Sequence, residues 1–201
     1  FLRHAVDEGC GFAAMEASSQ AIDLHRCDWL RFKIAVFTNL TQDHLDYHLT
    51  MENYFDAKKK LFDGRLGEKP ASSVINIDDE WGSRLADELK AAGQRVVTIS
   101  QDAARRFADL TAENVMVSLL KGTSFLLKTP EGERTVISPL VGRPHVYNML
   151  AASATAISVA RVFLGDAPDF QVGMIAYPAD EAHPLFYVFG AIVGLLAVAY
   201  N

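Results

Sequence analysis

Residues 34–48, IAVFTNLTQDHLDYH, decide how this sequence is interpreted. The apolar run 34–37 predicts a buried strand, and the polar segment 38–48 follows it directly with two aspartates and two histidines. In open α/β sheets, ligands bind beyond the carboxyl ends of the strands. The stretch therefore predicts an α/β fold with a metal or phosphate-ligand site at the end of this strand.

The segments around this stretch alternate between strand and helix patterns. The predicted strands are 11–17, 34–40, 73–77 and 95–100, and the predicted helices are 51–62 and 81–92, with a helix end over 2–9. The order β-α-β-α-β indicates a parallel sheet with helices on both faces.

A different pattern follows after residue 100. Short β patterns at 114–120, 123–128 and 134–139 are separated by Gly122 and by a turn at 130–132, which predicts an antiparallel meander. A helix is then expected over 145–162. The predicted fold is α/β: a mostly parallel, Rossmann-like sheet flanked by helices, with an added antiparallel β meander.

Composition excludes some classes of function. Half of the 201 residues are hydrophobic, and the formal net charge is −6 with a sequence pI near 5.5. This balance argues against nonspecific nucleic-acid binding, which needs a basic surface. Cys10 and Cys27 do not form a CxxC pair, and no signal pattern is visible, so a cytoplasmic location is expected.

The chain is expected to divide into a domain over 1–162 and a tail over 163–201. Within the tail, residues 185–200 carry no charged side chain. A spanning helix needs about 20 apolar residues, so this run of 16 leaves a buried core helix and a membrane segment both open.

Glu16 and His44 are the first candidate site residues. A carboxylate at the end of an apolar strand is costly unless it is ion-paired or bound to a metal. A single loop histidine is usually solvated, but Glu16 and His44 are expected at the ends of two neighbouring strands. With bound phosphates they could hold Mg²⁺, which prefers oxygen ligands and retains waters.

The lysine triplet 58–60 has two interpretations. It can be a solvated helix face, but Lys58 shares a helix face with Phe55 and Phe62 and therefore points partly inward. Arg26 can join an anion site with nearby basic residues or lie in a solvated loop. The sequence contains no GxxxxGK[ST] motif for cradling phosphates.

The motifs resemble those of the ATP-dependent Mur ligases, specifically the MurE type that adds the third residue of the peptidoglycan stem peptide. The resembling segments cover about residues 1–160. In chain order they are MEASS at 15–19, VFTNLTQDHLDYH at 36–48, MENYFDAK at 51–58, INIDD at 75–79 and GRPHVYN at 142–148.

The resemblance implies a reaction and site residues. ATP would phosphorylate the terminal carboxylate of a UDP-MurNAc-dipeptide, and the amine of diaminopimelate or lysine would attack the acyl phosphate to form an amide. Glu16 and His44 match Mg²⁺-site positions, and Lys58 matches the lysine that becomes a metal-binding carbamate. Ser18 and Arg26 match contacts to the UDP-MurNAc-dipeptide.

The resemblance also implies nucleotide contacts for Asn148, His145 and Asn76. Three positions depart from the residues usual in the family. Gln20 replaces a usual histidine, Leu24 replaces a frequent glutamine, and His145 stands where asparagine is common. No resemblance extends past about residue 162, and we expect a fragment that is inactive alone.

Two alternatives stay open: a folylpolyglutamate or cyanophycin synthetase-like ligase, and a degenerate, non-enzymatic or membrane-tethered binding module.

Overall fold

One six-stranded sheet organises the part of the chain that the computed structural model describes, residues 2–102, 104–105 and 107–164. The strands lie side by side in chain order: β1 (Ile34–Phe37), β2 (Ser72–Asn76), β3 (Val96–Ser100), β4 (Leu110–Ser118), β5 (Gly122–Thr129) and β6 (Gly132–Ser138). The first four are parallel, and β4, β5 and β6 form an antiparallel meander. The predicted fold class is therefore confirmed.

Six helices accompany the sheet within the described residues. They are α1 (Leu2–Asp7), α2 (Ser19–Asp23), α3 (Leu45–His48), α4 (Met51–Asp63), α5 (Glu80–Ala91) and α6 (Arg143–Leu164). The sequence pattern predicted α4, α5 and α6 to within about two residues, whereas α2 and α3 were not predicted because each has five residues or fewer. So short a helix shows no hydrophobic period.

Helices α4 and α5 cover one face of the sheet. Phe55 and Phe62 of α4 and Leu85 and Leu89 of α5 are buried against Ile75 of β2. Every residue of β2 is buried, as expected for a central parallel strand with helices on both faces. The Phe62 ring of α4 also approaches Phe37, the last residue of β1, with the centroids 6.2 Å apart.

Helix α6 covers the other face. Val146, Leu150 and Ala151 are fully buried and pack with Val74 of β2 and Phe125 of β5. By length and composition alone, residues Arg143–Phe163 could also cross a membrane. A core helix of a soluble protein passes the same criterion, and its contacts with the sheet assign α6 to the core. Residues 185–200, the predicted apolar run, lie outside the described residues.

The strand predicted over residues 11–17 is wrong. This segment has neither helix nor strand structure, and residues 11–16 are exposed. A strand needs a neighbour for its backbone N–H and C=O groups. Within the described sheet β1 pairs only with β2, and nothing pairs with residues 11–17. Glu16 therefore lies in an extended loop, not at the end of a strand beside β1.

Candidate functional site

Lys58 lies on the inward-facing side of α4. The helix begins after Thr50, whose side chain accepts a hydrogen bond from the Asn53 N–H, and it ends at Gly64 with φ 92°. The Thr50 cap satisfies a backbone N–H that the helix leaves unpaired, and Gly64 supplies the left-handed backbone common just after a helix. Lys58 is half-buried, and its Nζ lies 5.4 Å from the centroid of the buried Tyr54 ring.

Opposing influences act on the Lys58 ammonium group. Burial lowers the pKa of Lys58 below its usual value, while the negative charges of Glu16 and Asp79 oppose that shift. Asp79 is held in place because its carboxylate accepts hydrogen bonds from the Leu40 and Gly82 N–H groups, at 3.0 and 2.8 Å. Two carboxylates therefore act on one partly desolvated lysine.

His44 lies on another side of the same tyrosine. Its ring approaches Tyr54 edge-on, with the centroids 5.9 Å apart, and its backbone adopts φ 54° where α3 begins. Left-handed backbone is uncommon for a non-glycine residue and occurs often at functional sites. His44 and Lys58 thus approach the same Tyr54 ring, although the two residues are separated in the sequence.

Leu49 also has a strained backbone. It links α3 to α4 with φ 67° and ψ −37°, and its side chain is 77% exposed. Because glycine adopts positive φ without a Cβ clash, we expect Leu49→Gly to raise the free energy of unfolding by about 1 kcal/mol. Thermal unfolding should show a Tm higher by about 2–4 °C.

Leu119→Gly is the matched control for that substitution. Leu119 is 89% exposed in the β4–β5 turn, and it is not among the residues with positive φ. Its replacement should lower Tm slightly through the entropy of glycine. A Tm for Leu49→Gly that is unchanged or lower would show that position 49 carries no strain.

Ser18 and Arg26 flank α2. The Ser18 hydroxyl accepts a hydrogen bond from the Ala21 N–H at 3.1 Å and caps the helix, while the Arg26 N–H donates to the Ala21 carbonyl at 2.9 Å. The Ser18 and Arg26 side chains are exposed. Both predicted substrate contacts therefore depend on where α2 is held.

Asp23 is one anchor of α2. Its carboxylate accepts a hydrogen bond from Lys60 Nζ at 2.7 Å and another from the Tyr47 hydroxyl at 3.1 Å. The Lys60 hydrogen bond lowers the pKa of Asp23 below its usual value despite opposing desolvation. A surface cleft of about 450 Å³ lies between α2 and the α3–α4 pair, and Asp23, Tyr47, His48 and Lys60 contribute to its walls.

The predicted nucleotide contacts lie at the start of α6 and the end of β2. Asn148 is 7% exposed, and the buried Nδ1 of His145 has no hydrogen-bond partner among the described residues. The Tyr147 hydroxyl between them donates to Asp78 at 2.9 Å, which joins α6 to the residues after β2. Burial and this hydrogen bond raise the pKa of Tyr147 far above its usual value.

Asn76 is engaged in backbone contacts. Its Nδ2 donates to the Thr38 carbonyl at 2.7 Å, and its Oδ1 accepts from the Asp78 N–H at 3.0 Å. The side chain therefore joins the ends of β1 and β2. A nucleotide contact at Asn76 stays a prediction, and these bonds give the residue a structural task as well.

Other basic residues near Arg26 do not gather into an anion site. His25 Nδ1 lies 2.9 Å from an Asp28 carboxylate oxygen, and Arg31 Nε lies 3.4 Å from Glu68. The sequence leaves open an anion site of Arg26, Lys33, Arg31 and His25 or a solvated loop, and these two acidic partners favour the loop.

The sequence reasoning missed four side chains around Lys58 and α2, namely Asp23, His48, Tyr54 and Asp79. Tyr54 could have been found, because it lies one helical turn before Lys58 on the same face. Asp79 could be recognised as a helix cap. The contacts of Asp23 and His48 join segments more than 25 residues apart, which no local pattern records.

Few potential metal ligands lie close together among the described residues. Within the described residues, no group of three or more His, Cys, Asp or Glu side chains is arranged to hold an ion. The donors near Lys58 are the carboxylates of Glu16 and Asp79, which are the oxygen ligands that Mg²⁺ prefers. The present ammonium charge would repel a cation, so the donor set fits Mg²⁺ only if that charge is removed.

Fold and sequence together identify the family. The family model for the Mur ligase middle domain matches residues 1–156, and this chain belongs to that family. Within the family, it is 45% identical over 162 residues to a UDP-N-acetylmuramoyl-L-alanyl-D-glutamate–2,6-diaminopimelate ligase of Bacillus velezensis. The aligned region is 78% of this chain and 31% of that ligase.

Two further likenesses agree. A ligase of the same name from Synechococcus is 45% identical over 153 residues, covering 75% of this chain and 29% of the relative. A solved structure of such a ligase superposes with a TM-score of 0.68 at 32% identity, covering 79% of this chain and 32% of that one. The chain thus spans about three tenths of these relatives' length.

Proposed function

We propose that this chain is the middle domain of an ATP-dependent ligase that adds the third amino acid to UDP-MurNAc-L-Ala-D-Glu in peptidoglycan synthesis. The observation that carries the proposal is the half-buried Lys58, which lies under the influence of Glu16 and Asp79 and against the ring that His44 also contacts. Relatives with diaminopimelate ligase names support the same assignment.

The proposed reaction has two steps. The terminal carboxylate of the dipeptide attacks the γ-phosphorus of ATP, giving an acyl phosphate and ADP. The amine of diaminopimelate or lysine then attacks the acyl carbon, forms an amide, loses a proton and releases phosphate. Catalysis of this kind depends on positioning and on stabilising negative charge at the transferring group.

Lys58 is proposed to act as a carbamate. The neutral amine attacks CO₂ and loses a proton, which converts a cation into an anion with two oxygen atoms. The lowered pKa of Lys58 favours this step because it increases the neutral fraction at a given pH. Glu16, His44 and the carbamylated Lys58 would then hold Mg²⁺, which supplies electrostatic stabilisation of phosphate oxygens.

The substrates are assigned to two groups of residues. Ser18 and Arg26 are proposed to bind the UDP-MurNAc-dipeptide, because both side chains are exposed at the two ends of α2. Asn148 and His145, at the start of α6, are proposed to contact the adenine base of ATP, and Asn76, at the end of β2, is proposed to contact the nucleotide. Soluble ATP and a UDP-linked precursor would place the reaction in the cytoplasm, with no nucleic-acid partner.

A hybrid ligase tests the proposal. In it, residues 1–156 of this chain replace the matching segment of the Bacillus velezensis ligase, which supplies the remaining parts. We expect release of phosphate from ATP when UDP-MurNAc-dipeptide and diaminopimelate are both present, and none from residues 1–201 alone. The intact Bacillus ligase is the positive control.

A panel of acid substrates separates the alternatives in the same assay. Phosphate release with a folate or with an aspartate polymer, in place of the UDP-MurNAc-dipeptide, would favour the two synthetase-like ligases. No release with any acid, from a hybrid that folds, would favour a non-enzymatic module. Recovery of residues 1–201 in a membrane fraction would favour tethering through residues 185–200.

A further inference from the structure

Helix α2 needs outside support to hold its position. It has five residues, too few to be stable alone in water; Ser18 caps its start, and Arg26 follows three residues after its last residue, Asp23. Ile22 anchors the helix in a cluster with Cys27 and Leu66, and side-chain contacts with α3 and α4 add to this support. One such contact joins Asp23 to Lys60 and Tyr47.

His48 provides a second contact, and it is the more buried one. Its Nε2 lies 2.9 Å from the Ser19 Oγ, at hydrogen-bonding distance, and the residue is 5% exposed. Its backbone carbonyl accepts hydrogen bonds from the Asn53 side chain at 3.0 Å and from the Thr50 N–H at 2.8 Å. His48 is thus held through both its backbone carbonyl and its imidazole ring.

The His48 ring then meets Tyr54. The two rings stack with centroids 5.0 Å apart and an interplanar angle of 14°. Tyr54 is the residue whose ring contacts both His44 and Lys58. A continuous set of contacts therefore runs from α2 to two of the three predicted metal-site residues, His44 and Lys58.

We propose that His48 is a positioning residue, and that the contacts Ser19–His48–Tyr54, here called the His48 bridge, set the distance between α2 and Lys58. This inference rests on the proposed function, because it gives the bridge the task of placing the dipeptide bound by Ser18 and Arg26. His48 itself touches neither substrate nor metal in this account. Its loss should weaken dipeptide binding more than ATP binding.

The first test measures the bridge in residues 1–201 alone, without any ligand. Ser19→Ala and His48→Phe each remove one partner of a buried hydrogen bond, while phenylalanine keeps the aromatic stack. Each should lower Tm by about 2–4 °C. The double variant should lose clearly less than the sum, because no unpaired polar group remains. If the Tm losses of the two single variants simply added in the double variant, the proposed coupling between Ser19 and His48 would be wrong.

The second test measures how the His48 bridge affects substrate binding in the hybrid ligase. Ser19→Ala and His48→Phe should each raise KM for UDP-MurNAc-dipeptide about tenfold, equal to about 1.4 kcal/mol, and leave KM for ATP within about twofold. Thr98→Val is the matched control, because it removes a buried hydroxyl on β3 that donates to Asp109 at 2.7 Å. That variant should lower Tm and leave both KM values unchanged.

Two results would overturn the positioning role: an unchanged KM for the dipeptide, or equal increases in both KM values. Failure of the proposed function is distinguishable from either of these. It would show as an unmodified hybrid that does not release phosphate, while the ligand-free comparison of the single and double variants still decides whether the His48 bridge couples α2 to α4.

Discussion

Lys58→Ala in the hybrid ligase is expected to reduce turnover by about a hundredfold to a thousandfold, the loss typical when a group that stabilises transition-state charge is removed. The half-buried amine is the only Lys58 atom able to accept CO₂, and alanine has no replacement for the resulting oxygen ligands. Steady-state phosphate release with saturating dipeptide, ATP and diaminopimelate measures the effect.

Chemical rescue separates the carbamate from other roles of Lys58. A small carboxylic acid such as formate fits the space left by the side chain and returns two oxygen atoms of similar charge. We expect it to restore part of the turnover of Lys58→Ala and to have no effect on the unmodified hybrid. An ordinary ammonium role would instead be rescued by a small amine.

Lys59→Ala is the matched control for this substitution. Lys59 is the next residue on α4, and its ammonium group pairs with Glu88 of α5. A partly exposed ion pair contributes little to stability, so turnover should change by less than about twofold. If both lysine variants retained turnover, the assignment of Lys58 to the site would be wrong.

Gly82→Ala is expected to cause a large loss of stability, about 3 kcal/mol in the free energy of unfolding. An added Cβ would lie 2.0 Å from the Asn76 carbonyl oxygen and 3.3 Å from the Phe37 ring. Neither neighbour can move easily, because Asn76 ends β2 and Phe37 is buried. Helix α5 would have to shift away from the sheet.

Thermal unfolding measures this loss as a Tm lower by about 6–12 °C. Gly11→Ala is the matched control, because a Cβ there meets nothing within 4 Å and the backbone φ is not positive. It should change the free energy of unfolding by less than about 0.5 kcal/mol. Equal Tm values for the two variants would contradict the close approach of α5 to β2.

The sequence predicted the elements that carry strong periodicity. Helix α4 was expected because apolar residues recur at spacings of three and four, and the meander because turn residues separate three β patterns. The strand over 11–17 failed because an apolar composition does not supply a pairing partner. β4 begins at Leu110, earlier than predicted, because Leu110 and Thr111 pair with β3.

The candidate site was predicted in part. The inward position of Lys58 follows from the α4 pattern, since residues on one helix face share an environment. The influence of Asp79 on Lys58 could not be predicted from the sequence, because the two residues are separated by β2 and come together only in the folded chain. The stack of His48 on Tyr54 depends on the α3–α4 turn, whose left-handed residues His44 and Leu49 no sequence pattern indicates.

The product made by the hybrid ligase tests the central claim most directly. After incubation with ATP, Mg²⁺, UDP-MurNAc-L-Ala-D-Glu and diaminopimelate, mass spectrometry should show the UDP-MurNAc-dipeptide heavier by one diaminopimelate residue. The Lys58→Ala hybrid should leave it unchanged. A folded hybrid that leaves the dipeptide unmodified, while the intact Bacillus velezensis ligase converts it under the same conditions, would contradict the assignment of this chain as a working ligase middle domain.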